Sequence, residues 1–203
     1  MANPAQTDTT KTETIILGWN GTSFRHFSMD SSTRAFTTIE YEHHEIHAGS
    51  HYYLNGYDTL QLNDTLTFYV EAQSGQVKEP HMTFQITGTN GVTVQIYEGS
   101  NSATLGSGGV TATIYNSNRN STKTSVLTIY ANPTAIVTTG TLIYSTVAGG
   151  TRVAGGHERS NELVFSTTDN YYIVLTSLSN SNFVGYGAEW YEHTPKDEAG
   201  DQW

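Results

Sequence analysis

The chain has 203 residues, enough for one all-β domain with a substantial core plus an arm, and too few for two independent domains of ordinary size. Its formal net charge is -10 with nine scattered Lys and Arg, a balance that repels phosphate backbones and gives no basic stripe for nucleic acid. Cysteine is absent, which excludes disulfides and thiolate metal sites, and the 36% hydrophobic content falls in pieces too short to cross a bilayer.

Residues 1–38 read as an extended N-terminal arm. Their start has neither the basic head nor the apolar segment of a secretion signal, so a soluble protein that accumulates in a cytoplasm is expected. Thr and Ser fill the spaces between Ile15, Ile16, Leu17, Trp19, Phe24 and Phe27, too few anchors for independent folding. These anchors are expected to dock on a neighbouring subunit.

The next stretch, Tyr41-Glu42-His43-His44-Glu45-Ile46-His47-Ala48-Gly49-Ser50-His51-Tyr52, concentrates half of the eight histidines, and Tyr191-Glu192-His193 repeats its opening tripeptide. The surrounding two-residue periodicity places it on a strand, where His43, Glu45 and His47 would share one face. Those three are the candidate metal ligands, since imidazole and carboxylate suit zinc or nickel. The spacing is not the helical His-Glu-Xaa-Xaa-His pattern, and the cupin order of histidines and glutamate is missing. Hydrogen bonding across strands or subunits through His43, His44 and His47 is therefore the preferred reading, with no cofactor.

From Ile39 to residue 195 a period of two predicts half-buried strands, and no run of helical spacing reaches a convincing length. Leu66-Phe68-Val70 is one such strand. Met82, Phe84 and Ile86 followed by Asn90-Gly91 and then Val92, Val94 and Ile96 predict a tight hairpin. Further alternation occurs at Thr111–Tyr115, Ser125–Tyr130, Thr141–Tyr144, Leu163–Phe165, Tyr171–Leu175 and Val184–Trp190, separated by turn clusters. The expected fold is an all-β, antiparallel, jelly-roll-like β-sandwich.

Between these strands, Arg119 lies among amides and hydroxyls in Tyr115–Ser121, either pairing with a carboxylate across an interface or sitting on a solvated loop tip. No Gly-Xaa-Ser-Xaa-Gly elbow occurs, and no two carboxylates are marked as a hydrolytic pair. An enzyme is not expected. Residues 196–203 form a polar tail whose terminal Trp203 is a candidate anchor for another chain.

Several segments in order, Glu42–Tyr52, Pro80–Ile86, Tyr97–Gly99, Tyr115–Ser121, Gly140–Ile143, Arg159–Leu163 and Glu189–Thr194, resemble a family of small virion proteins of tailed bacteriophages. The resemblance spans about residues 40 to 194. It implies a head decoration or cement protein, a trimeric β-sandwich that binds major capsid protein on the outer capsid surface after assembly in the host cytoplasm. Neither nucleic acid nor membrane is an expected partner. The alternative is a carbohydrate- or receptor-binding tail or fibre module that meets a host-surface glycan.

Overall fold

The computed structural model describes residues 17–19, 24–26, 41–72, 77–99, 109–134, 140–150, 154–155 and 162–194. The chain divides into two units, Met1–Ile39 with Lys196–Trp203, and Glu40–Pro195. In the first, strand β1 (Leu17–Trp19) pairs antiparallel with β2 (Phe24–His26), joining Leu17 to His26 and Trp19 to Phe24. The expected extended run is thus folded back on itself at this point.

The second unit begins with helix α1 (Tyr41–Ala48), followed by β3 (His51–Leu60), β4 (Thr65–Ala72), β5 (Glu79–Gly88) and β6 (Val92–Glu98). Short strands β7 (Val110–Thr111) and β8 (Tyr115–Asn116) lead to β9 (Leu127–Ala131) and β10 (Thr141–Ala148). Then come β11 (Ala154–Gly155), β12 (Leu163–Val164), β13 (Tyr171–Ser177) and β14 (Asn182–His193). All described pairings are antiparallel, and they form a β-sandwich. One sheet runs β10-β6-β13-β4-β9-β7; the other runs β11-β5-β14-β3-β8, with β12 also on β5.

The chain changes sheet repeatedly, passing from one to the other at each step from β3 through β6 and again from β12 through β14. Consequently β13 lies between β4 and β6, while β14 lies between β3 and β5. This interleaving of early and late strands is a jelly roll, with β7 to β9 inserted between β6 and β10. Such an arrangement buries one face of each sheet against the other. The alternating residues Met82, Ile86, Val92, Val94, Ile96, Ile173, Leu175, Val184 and Trp190 fill that interior, joined by Tyr52 and Phe165.

The expected hairpin at Asn90-Gly91 is corrected by this topology. Its two strands exist, but they face each other across the core instead of lying side by side. Alternation specifies which face of a strand is buried and leaves its neighbour open. What decides the neighbour is Asn182, a fully buried amide. Its Oδ1 accepts from the Asn90 N–H at 2.8 Å and the Thr89 hydroxyl at 3.1 Å, while its Nδ2 donates to the Gly91 carbonyl at 3.0 Å and Ser177 Oγ at 3.1 Å. The segment Thr89–Gly91 therefore wraps around the start of β14. Nearby, Asn63 and Ser181 adopt positive φ, 68° and 50°, in the turns from β3 to β4 and from β13 to β14.

Replacing Asn182 with Ala leaves two backbone groups and two hydroxyls without their buried partner, at a cost of about 3 kcal/mol. Urea denaturation of the variant is expected to show that loss in the midpoint with an unchanged slope.

Candidate functional site

The first histidine segment is helical, which corrects the strand expected there. Tyr41–Ala48 contains no proline and no interior glycine, and only Ile46 is β-branched. Gly49 stops the helix with φ at 71°. The Gly49 N–H donates to the Ile46 carbonyl at 3.0 Å and the Ser50 N–H to the Glu45 carbonyl at 2.9 Å, the two bonds of a Schellman cap. Residues from the 116–123 loop complete it. Lys123 Nζ reaches the Ala48 carbonyl at 2.7 Å, Asn118 Nδ2 the His47 carbonyl at 3.1 Å, and Asn116 Nδ2 the Gly49 carbonyl at 2.9 Å.

Helical geometry redistributes the candidate ligands. His43 and His47, four residues apart, stack with their Nε2 atoms 2.9 Å apart on an exposed face. Glu45 is buried instead, so the trio does not converge, although His44 Nδ1 lies 3.3 Å from Glu45 Oε1. Arg119 is exposed, with its guanidinium 5.5 Å from the centre of the Tyr115 ring. Leu17, Trp19 and Phe24 fall on β1 and β2. Ile15, Ile16, Phe27 and Trp203 lie outside the described residues.

A different group of histidines and carboxylates meets on the outer face of the β3-β14-β5 sheet. Because Met82 and Trp190 point into the core, their neighbours His81 and Tyr191 point outward, and the register pairs Tyr191 with both His81 on β5 and His51 on β3. Two residues further, His193 is paired with Glu79. Glu162, immediately before β12, reaches His81 from the next strand over.

The contacts there are short. His81 Nδ1 is 2.7 Å from Glu162 Oε1 and 3.1 Å from the Tyr191 hydroxyl, and its ring stacks on Tyr191 at 4.7 Å between centroids. His81 Nε2 is 2.7 Å from His193 Nε2, and His193 Nδ1 is 2.7 Å from the Thr194 carbonyl. Burial lowers the pKa of His81 below the ordinary histidine value, while the Glu162 carboxylate opposes that shift. At the other side of Tyr191, His51 Nδ1 is 2.7 Å from Ser117 Oγ and its Nε2 is 3.4 Å from Glu42 Oε1. His51 thus joins helix α1 to the sheet. Among the described residues, Glu79, His81 and His193 are the group able to offer three metal-ligand atoms, all within 4.8 Å of one another.

Directly beneath, Glu192 faces the interior and is 1% exposed. Its carboxylate accepts from Ser125 Oγ at 2.6 Å, from the Val126 N–H at 3.0 Å and from Trp190 Nε1 at 3.0 Å. It thereby ties the end of β14 to the segment entering β9 in the opposite sheet. Burial raises its pKa above the ordinary carboxyl value even though those hydrogen bonds oppose the rise. Burial, with Glu192 close by, also pushes the Tyr52 hydroxyl up to about 12.

The outer-face cluster was not selected from sequence because its members come from β5, β14 and the approach to β12. The available signal was alternation: if Met82 is inward, Glu79 and His81 share the outward face, and if Trp190 is inward, so do Tyr191 and His193. Their convergence required the strand order. Comparison with known protein families, curated proteins and solved structures gives no match.

The raised pKa of Glu192 has a definite sign for stability. A carboxyl whose pKa is higher in the folded state contributes fully below its unfolded value, and the contribution falls as pH rises through the folded value. Glu192→Gln should remove that decline, so the urea midpoints of wild type and variant should diverge in the variant's favour as pH is raised above the ordinary carboxyl range.

Proposed function

We propose that the protein is a non-enzymatic virion structural protein that attaches to the outside of a bacteriophage capsid by binding major capsid protein. The observation carrying the attachment is β10. This strand ends its sheet, pairs with β6 on one side, and has no strand on its other side among the described residues. Its sequence, Thr-Leu-Ile-Tyr-Ser-Thr-Val-Ala, has no charge and no proline, the devices by which sheet edges are usually blunted. Leu142, Ile143 and Val147 are 47%, 42% and 51% exposed. A bulge between Leu142 and Tyr144 interrupts the ladder without covering those side chains.

An apolar edge with main-chain donors and acceptors toward solvent fits one kind of partner, an extended strand of another chain. The sequence resemblance supplies the identity of that partner, and the acidic chain suits the outer capsid face. Non-enzymatic attachment also agrees with the buried, hydrogen-bonded role of Glu192, which leaves that carboxyl occupied in holding two sheets together.

A second reading, a glycan-binding module, is favoured by the outer face of the other sheet. There Tyr57 stacks on Phe183 at 5.0 Å and Tyr53 on Tyr115 at 5.5 Å, and a shallow depression floored by Gly187 lies among Tyr53, Asn55, Thr83, Gln85 and Glu189. Aromatic faces beside amides and a carboxylate are the groups that bind sugar rings.

Cosedimentation with capsids stripped of the protein tests both. Wild type should coat them, and Val147→Lys with Leu142→Lys should bind at least about tenfold more weakly, the effect of placing two charges on a pairing edge. Undiminished binding by the double variant would overturn attachment through β10. Failure of wild type to bind capsids, together with binding to a glycan array that Tyr57→Ala abolishes, would replace attachment by the second reading.

A further inference from the structure

We infer that Glu79, His81 and His193 bind a divalent first-row transition ion of the zinc class, clipping the end of β14 to the start of β5. The neighbours of the two rings decide which nitrogens are left to bind an ion. A backbone carbonyl can only accept, so the 2.7 Å contact to Thr194 makes His193 Nδ1 the donor. A carboxylate likewise accepts, so the shorter contact of His81 Nδ1, 2.7 Å to Glu162 against 3.1 Å to the Tyr191 hydroxyl, makes that nitrogen the donor.

With Nδ1 the donor on each ring, the Nε2 atoms are the remaining ligand positions, and they face each other across 2.7 Å. Two lone pairs at that distance repel unless a positive charge lies between them. A shared proton would satisfy the two nitrogens alone. A metal ion would in addition use the third donor, Glu79, whose carboxylate lies within the same 4.8 Å group.

The surroundings match what metal-binding imidazoles require. Each ring's other nitrogen is held by an oxygen acceptor, one a carboxylate and one a carbonyl, and such bonds fix the tautomer and strengthen the ligand. Glu79 and His81 share one face of β5, and the register sets His193 directly beside Glu79. Tetrahedral ligation at about 2.0–2.1 Å separates two nitrogens by about 3.3 Å, so the rings must part by roughly half an ångström. His193 ends its strand and both rings are only half-buried, so side-chain rotation supplies that movement. A fourth position remains for water.

Two imidazoles and one carboxylate choose the metal. Zinc, cobalt and nickel accept this set, whereas magnesium and calcium prefer oxygen ligands throughout. Among the described residues the site has one competitor, the exposed His43–His47 pair on α1. It offers two nitrogens and no converging carboxylate among the described residues.

The test is calorimetric titration of the chelator-stripped full chain with zinc chloride, followed by cobalt(II) absorption in the visible range. Wild type should take up one zinc per chain, gain thermal stability and show the intense bands of tetrahedral cobalt, and magnesium should do none of these. His193→Gln should weaken zinc binding about tenfold to a hundredfold or more, and Glu79→Gln, a milder change, should weaken it in the same direction. His43→Gln with His47→Gln should leave it intact. The inference is overturned if stripped wild type binds no zinc at millimolar concentration, if folded His193→Gln and Glu79→Gln both bind as wild type, or if binding is lost with His43 and His47 instead.

Discussion

A buried amide at one end and a buried carboxyl at the other hold β14 in register between β3 and β5. Asn182 gathers the turn leading to β6, and Glu192 gathers the segment leading to β9, so both anchors reach into the opposite sheet. The side-chain period of a strand is two, and a slip by one residue would exchange its faces. Trp190 would leave the core, and Tyr191 and His193 would enter it. Because buried polar groups are stable only when satisfied, each anchor also opposes the slipped alternatives, where its partners would be lost.

The same constraint explains why Glu192 and His193, adjacent in sequence, behave so differently. One side chain points into an interior that disfavours its charge and is met by three donors. The next points to the outer face and meets another imidazole and a carbonyl. The strand register sets Tyr191 between His81 and His51, and His51 in turn reaches Glu42 of the helix. In turn the 116–123 loop caps that helix while Ser117 bonds to His51. The early histidine segment and the late Tyr-Glu-His segment are therefore linked, although one is helical and the other is a strand.

Much of the sandwich was legible in the sequence because burial writes itself as alternation. Tyr171-Ile173-Leu175 and Val184 to Trp190 read correctly as half-buried strands, and Leu66-Phe68-Val70 as a strand, although there Thr67 and Tyr69 bury the second face as well. Neighbour choice was not legible, as Asn90-Gly91 shows: a turn sequence suited to a hairpin instead bridges two sheets, held by an amide about 90 residues further along. The helix was missed because an eight-residue segment has little room to establish a 3.6-residue period, and its stop signal, Gly49, was read as part of a strand-rich stretch. The outer-face cluster was half legible. Outward positions followed from alternation, but bringing Glu79, His81, Glu162 and His193 together depends on β5 lying between β14 and β12.

The position of β10 at the end of its sheet also bears on symmetry. Two copies joined antiparallel along this strand would be related by a twofold axis, and their six-stranded sheets would continue into one. That contact uses the same edge on both copies and is then complete. A threefold ring needs two different surfaces on every subunit, so it cannot be closed by pairing β10 with itself. A trimer could use β10 only by joining it to a different surface of the next subunit, and a trimer built from other faces would leave three such edges available around the assembly for strands supplied by something else.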